Sequence, residues 1–117
     1  MINLVVISGN LTKDPELKYL GSGTAVCSFT LALNNKYKNS SGEIIEEVSY
    51  IDVVAFGKSA ENCTENLHKG SRATIQGRLK QERWEDKNGG GQRSRVRVMA
   101  SLIEYEKNKQ SLKQADD

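Results

Sequence analysis

Five stretches of the chain have the hydrophobic patterning of β-strands. Residues 2–11 are mostly Ile, Leu and Val, and residues 48–57 carry apolar side chains on both faces. Residues 25–34 and 71–84 alternate between apolar and polar side chains, and residues 93–103 contain four apolar residues at alternate positions. The pattern therefore predicts five strands.

The alternation also predicts which side chains enter a core, because successive side chains of a strand point to opposite faces. Gly77 interrupts the fourth strand, where a barrel would need a sharp bend. In the third strand, one face carries Ile51, Val53 and Ala55, and the other carries Tyr50, Asp52, Val54 and Phe56. In the second, fourth and fifth strands, the expected core residues are Ala25, Cys27, Phe29, Leu31, Leu33, Ala73, Ile75, Leu79, Val96, Val98, Ala100 and Leu102.

One helix is predicted, at residues 59–68. Ser59 can cap its first turn. His68 and Lys69 lie at its carboxyl end, where a cation suits the helix dipole, and Gly70 supplies a left-handed stop. Its narrow apolar stripe, which could plug the open end of a barrel, consists of Ala60, Cys63 and Leu67.

The order of elements is three strands, a helix and two strands. This order predicts an all-β domain, a five-stranded Greek-key OB-fold barrel with one short helix between strands three and four. A meander with a helix packed on one face remains an alternative. We expect the domain to span residues 1–106, with a polar loop at residues 35–47, and we expect residues 107–117 to form a short, disordered polar tail.

Length and composition narrow the class of protein. A chain of 117 residues has room for one domain, and it contains no apolar run near the roughly 20 residues that cross a bilayer. The first residues lack the basic segment of a secretory signal, so we expect a cytoplasmic protein. Cys27 and Cys63 fit small buried hydrophobes. They form no Cys-x-x-Cys pair and His68 is the only histidine, so we expect no metal and no other cofactor.

Charge is distributed unevenly along the chain. The net charge is only +2, yet residues 69–97 contain nine basic and three acidic residues. A basic stripe on one group of strands indicates a polyanionic partner, although a solvated basic surface would look the same. The nine basic residues are Lys69, Arg72, Arg78, Lys80, Arg83, Lys87, Arg93, Arg95 and Arg97.

Four of the seven aromatic residues are candidates for a binding surface that includes the basic stripe. Tyr37 lies between two lysines, Tyr50 and Phe56 share one face of the third strand, and Trp84 ends the polar face of the fourth. Every nucleic-acid base has a π-face, so aromatic rings beside cations favour binding of single strands without sequence preference. The alternative is structural, with Tyr50 and Phe56 buried under the helix or at a subunit interface and Trp84 packed in its hairpin.

Several motifs, in this order and spacing, resemble bacterial-type single-stranded DNA-binding proteins. They are SGNLTKDPELKY at residues 8–19, VVAFGKSAE at 53–61, KGS at 69–71, IQGRL at 75–79 and WED at 84–86. The resemblance covers residues 3–104. It implies an OB-fold that assembles as a homotetramer and protects single-stranded DNA during replication, recombination and repair, associated with the nucleoid.

The resemblance also assigns site residues. The family's stacking positions match Tyr37, Tyr50, Phe56 and Trp84. Its basic positions match Lys58, Lys69, Lys80 and Arg83. Together with the basic loop and stripe, the candidate phosphate contacts are Lys36, Lys38, Lys58, Lys69, Arg72, Arg78, Lys80 and Arg83.

The chain departs from the family pattern at two places. Asp52 occupies a groove position where some members have arginine, and the sequence ends in QADD rather than in the acidic, hydrophobic tip that docks on replication and repair proteins. Either that docking is missing or supplied differently, or the chain is shortened.

Two other functions compete with this interpretation. One is a related OB-fold adaptor of replication restart that binds DNA secondarily as a dimer; the four retained stacking positions argue against it. The other is an enzyme. Asp14, Glu16 and Asp52 lack a nucleophile or metal ligand at a useful spacing, so we expect no catalytic residue.

Overall fold

The computed structural model describes residues 1–106. The tail expected at residues 107–117 lies outside the described residues. Within the described part, no helix is long and apolar enough to span a membrane. The elements are β1 (Val5–Leu11), β2 (Glu16–Tyr19), β3 (Ala25–Lys38), β4 (Ile44–Phe56), α1 (Lys58–Asn66), β5 (Arg72–Glu85) and β6 (Gln92–Tyr105).

Five of the strands close into a barrel. β1 pairs antiparallel with β5, β5 with β6, and β3 with β4, while β4 and β6 run parallel. Pairing of Asn10 with Ala32 and of Leu11 with Leu31 joins β1 to β3 and completes the ring. The predicted five-stranded OB-fold is confirmed. The meander is excluded, because its consecutive strands would pair in chain order.

The short strand β2 was not predicted. It pairs with residues 25–28 of β3 and lies beside the barrel, between the two turns that the sequence did indicate. Its four residues, ELKY, are too few and too polar to show a recognisable alternation of apolar and polar side chains. Because of β2, the helix follows the fourth strand of the chain, although it still follows the third strand of the barrel.

The loop predicted at residues 35–47 is mostly strand. β3 and β4 remain paired out to Lys38 and Ile44, and only residues 39–43 turn. The Asn39 side chain accepts hydrogen bonds from the backbone N–H groups of Ser41 and Glu43, both at 3.0 Å, which closes the turn. This arm extends beyond the barrel, so both of its faces meet solvent and its polar residues carry no strand pattern.

The core confirms the prediction for β3 and for the first half of β5. Its buried cluster joins residues of all five barrel strands and the helix stripe, which packs against β3. Cys27 and Cys63 are both buried and free, and Thr64 Oγ1 donates to Cys27 Sγ at 3.5 Å. The hydrogen bond to Cys27 and burial both raise the pKa of the Cys63 thiol, because they favour its neutral form.

Three of the predicted core residues are instead half-exposed: Leu79, Val96 and Leu102. A β-bulge explains Leu102. Gln76 pairs with Leu102 but Gly77 pairs with Ala100, so Ser101 is an extra residue and the faces of β6 exchange there. Ile103 therefore packs on the core in place of Leu102. Leu79 and Val96 lie where the β5–β6 hairpin has passed the end of the barrel, so no core covers them.

The helix boundaries also differ from the prediction. α1 begins at Lys58 after Gly57, which has a φ of 68°, and no side chain caps it, so the Ser59 cap was wrong. The helix ends at Asn66, so His68 and Lys69 lie outside it and do not meet its dipole. Leu67 turns into an extended conformation and enters the core. Gly70 is left-handed, as predicted, with a φ of 87°, but in the turn after the helix.

Candidate nucleic-acid interface

Tyr50 and Phe56 lie on the outer face of β4. Val53 and Ala55 point into the core, so the alternation of the strand directs Tyr50, Asp52 and Phe56 outward. Tyr50 is 67% exposed and Phe56 is 41% exposed. The two rings are therefore not buried under the helix, and in the described part of the chain both are accessible to a ligand.

Trp84 lies near the tip of the β5–β6 hairpin and is 46% exposed. It pairs across the hairpin with Arg93, and the guanidinium of Arg95 lies 5.4 Å from the centroid of its ring. That distance is within the range of a cation–π contact. One face of the indole is thus covered by a cation, and a base would stack on the other face.

A parallel contact joins these two hairpins into one surface. Val54 of β4 pairs with Met99 of β6. By alternation, Val54 shares a face of β4 with Asp52 and Phe56, and Met99 shares a face of β6 with Arg97, although Val54 itself is fully buried. The outer faces of β3, β4, β6 and β5 are consequently continuous, and Phe56 lines one shallow pocket together with Arg78 and Met99. Aromatic rings from β4 and β5 share this surface, which we call the outer sheet face.

The candidate phosphate contacts fall into four groups. Lys36, Lys38, Arg78 and Lys80 lie on the outer sheet face, and Lys36 is paired with Glu46 at 3.1 Å. Lys58 begins α1, two residues after Phe56. Arg83 belongs to the opposite face of the β5–β6 hairpin, where it donates to Gln81 at 3.3 Å. Lys69 and Arg72 line a separate cavity beyond α1, and Arg72 is paired with Glu106 at 2.7 Å.

Tyr37 is also separated from the other rings. It pairs with Ile45 on the face of the β3–β4 arm opposite to that of Tyr50, and its hydroxyl donates to Glu47 at 3.0 Å. The ring is exposed. The structure therefore brings Tyr50, Phe56 and Trp84 onto one surface and leaves Tyr37 on the reverse of the arm.

Sequence reasoning counted Arg95 and Arg97 in the basic stripe but did not assign them to the site. Both bind Glu82: Arg97 Nε lies 2.5 Å from Oε1, and Arg95 Nε lies 3.4 Å from the same oxygen. The hydrogen bond from Arg97, strengthened by Arg95, lowers the pKa of the Glu82 carboxyl. The sequence does not give the length of the hairpin turn, which sets the register of β5 against β6. Pairing of Glu85 with Gln92 places Glu82 opposite Arg95.

A cleft of about 170 Å³ lies where the turn before β2 meets the outer sheet face. Its charged lining consists of Lys13, Glu16, Asp52, Arg95 and Arg97. Thr30 Oγ1 donates to Asp52 Oδ1 at 2.7 Å across the β3–β4 pair. Lys13 was also missed from the sequence, although loops between the first strands of an OB-fold commonly flank the binding surface.

Comparisons with known proteins identify the family of the chain. A model of the single-strand binding protein family matches residues 2–106. A single-stranded DNA-binding protein of Aquifex aeolicus is 48% identical over 103 residues, covering 88% of this chain and 69% of the relative. One from Helicobacter hepaticus is 46% identical over 104 residues, covering 89% of this chain and 61% of the relative.

A solved structure shows the same fold. It is a deletion mutant of the single-stranded DNA binding protein from Thermus aquaticus, with a TM-score of 0.83 and 30% identity. The match covers 92% of this chain but 52% of that one. This fold places the chain among the OB-fold proteins. The chain belongs to the single-strand binding protein family. Membership of this family sets the enzyme alternative aside.

Proposed function

We propose that this chain binds and protects single-stranded DNA without general sequence preference, using the outer sheet face. The observation that carries the proposal is the parallel joining of β4 and β6, which unites the exposed rings of Tyr50, Phe56 and Trp84 with basic side chains. Each stacked base contributes roughly 1–3 kcal/mol and is accepted whatever its identity. Arg78 and Lys80 neutralise phosphates on the same surface, which makes binding weaker at high salt.

The remaining parts of the proposal concern cellular role and assembly. We place the protein in the cytoplasm, at the nucleoid, acting in replication, recombination and repair. We propose a homotetramer, because exposed apolar side chains are available for an interface. They are Leu4, just before β1, Val6 on β1 and Leu102 on β6. Replication and repair proteins remain proposed partners. Light scattering on the purified protein tests the assembly, and a stable monomer would contradict it.

Trp84 provides a direct test of DNA binding, since it is the only tryptophan of the chain. Titration with poly(dT) at low salt should quench its fluorescence, because a stacked base covers the open face of the ring. Quenching should reverse when salt is added. An adaptor that binds DNA only secondarily would show little quenching. Absence of quenching at low salt would refute the proposal.

A further inference from the structure

Asp52 is an unexpected acid on the outer sheet face. It lies between two proposed stacking residues of β4, Tyr50 and Phe56, where a carboxylate repels the phosphates of a bound strand. A negative group here must therefore meet a part of the nucleic acid other than the backbone. The parts of a strand that donate hydrogen bonds to a carboxylate are the polar edges of its bases.

The carboxylate is held in a defined orientation. Thr30 Oγ1 donates to Oδ1 at 2.7 Å, which fixes the plane of the group and leaves Oδ2 directed away from that bond. Within residues 1–106, no ion pair to Asp52 is found. The two arginines that share its cleft are both bound to Glu82. Asp52 is thus an oriented acceptor that lines a cleft and keeps accepting capacity for a ligand.

The chemistry of the bases favours one occupant, because cytosine and adenine each place a single amino group beside an acceptor nitrogen on the pairing edge. Guanine presents two neighbouring donors on its pairing edge, the N1–H and the 2-amino group, and a carboxylate accepts both at once. Its O6 and N7 atoms are acceptors that suit a basic side chain such as Lys13, which lines the same cleft. Thymine offers a single N–H between two carbonyl oxygens, and those oxygens are repelled by a carboxylate.

We propose that Asp52, oriented by Thr30, forms a subsite for one guanine within an otherwise sequence-tolerant surface. This inference rests on the proposed binding of single-stranded DNA by the same face. Asp52 acts as a specificity-determining residue and Thr30 as a positioning residue. The site is exposed to water, so we expect about fivefold tighter binding of guanine than of thymine there, equal to about 1 kcal/mol.

The test uses a set of dT oligonucleotides of about eight nucleotides, within the span that one OB-fold binds. In each, one internal thymine is replaced by guanine or by hypoxanthine, which lacks only the 2-amino group. Affinities are measured by Trp84 quenching with the wild-type protein and with Asp52→Asn. We expect guanine to bind more tightly than hypoxanthine in the wild type, with equal affinities in the variant. Comparing two purines keeps the stacking area constant.

Matched variants separate base recognition from charge. Glu16→Gln removes a carboxylate from the same cleft and should leave the guanine preference unchanged. Thr30→Val should weaken the preference, and Thr30→Ser, which keeps the hydroxyl, should restore it. Equal wild-type affinities for guanine and hypoxanthine, or a preference that survives Asp52→Asn, would overturn the inference. Failure of the all-thymine oligonucleotide to bind would overturn the proposed function instead.

Discussion

Replacing Glu82 with glutamine should lower the stability of the fold and raise the affinity of the protein for single-stranded DNA. Glu82 forms a two-point contact with Arg97, at 2.5 and 3.1 Å, and a longer contact with Arg95. The Arg97 side chain is only 15% exposed, so water replaces its lost partner poorly. Hydrogen bonds to charged groups contribute about 1.5–3 kcal/mol, and glutamine retains one acceptor, so we expect a loss of about 1–2 kcal/mol.

The effect on DNA binding follows from the different exposure of the two arginines. Arg97 is largely covered and stays in place, whereas Arg95 is half-exposed and lies beside Trp84. Release of Arg95 adds one phosphate contact, which steepens the dependence of log K on log salt by about 0.7 units for a single strand. Affinity for poly(dT) should therefore rise at low salt, and this gain should shrink as salt is added.

Two assays follow this variant beside a matched control. Thermal unfolding should show a fall in Tm of about 4–12 °C. Salt titrations of Trp84 quenching report the slope. Glu85→Gln removes the same charge from the same hairpin, but among the described residues Glu85 forms no ion pair with Arg95 or Arg97. This control should therefore change the Tm and the salt slope less. A weaker affinity with an unchanged slope would refute the reasoning, because it would mean that Glu82 positions Arg95 for binding.

Four further predictions concern the surface, acid pH and the barrel bend. Trp84→Ala and Phe56→Ala should each weaken binding by roughly 1–3 kcal/mol for dT and dA oligonucleotides alike, and a loss confined to one of these would contradict stacking. Lys80→Ala should lower the salt slope by about 0.7 units, and Arg83→Ala, on the opposite face, should lower it less; equal effects would refute this placement. The contribution of Glu82 should be complete above its unfolded pKa of about 4.3 and disappear as pH falls through its lower folded pKa, so urea unfolding of wild type and Glu82→Gln should converge in acid. Gly77→Ala should cost about 1–3 kcal/mol in the same assay, because its methyl group would overlap a backbone carbonyl of β6, and an unchanged stability would contradict that contact.

Sequence reasoning succeeded where a strand has one buried and one exposed face. Residues 25–33 alternate because the core lies on one side of β3, and their predicted orientation is confirmed. The same strand continues to Lys38, but there the arm has solvent on both sides and the alternation disappears. Extended structure without a buried face leaves no hydrophobic period to read.

The surface was harder to predict than the core because it depends on pairing between distant strands. The extra residue Ser101 reverses which side chains of β6 point to the core, and no local sequence pattern predicts this bulge. The separation of Tyr37 from Tyr50 follows from the register of the arm, in which Tyr37 lies opposite Ile45. Residue types thus indicate the chemistry of a candidate interface, but the grouping of its residues depends on the register.

The short parallel contact between β4 and β6 has a consequence for motion. The hairpin of β3 and β4 is paired along its whole length, but the ring closes between β4 and β6 only through Val53–Val98 and Val54–Met99. Local opening should therefore begin at this seam or at the equally short β1–β3 pairing, because few hydrogen bonds resist it at either place. A nucleic acid lying across the outer sheet face would span the seam and slow amide hydrogen exchange on both strands. The ligand would thus stabilise the β4–β6 pairing that forms its own binding site.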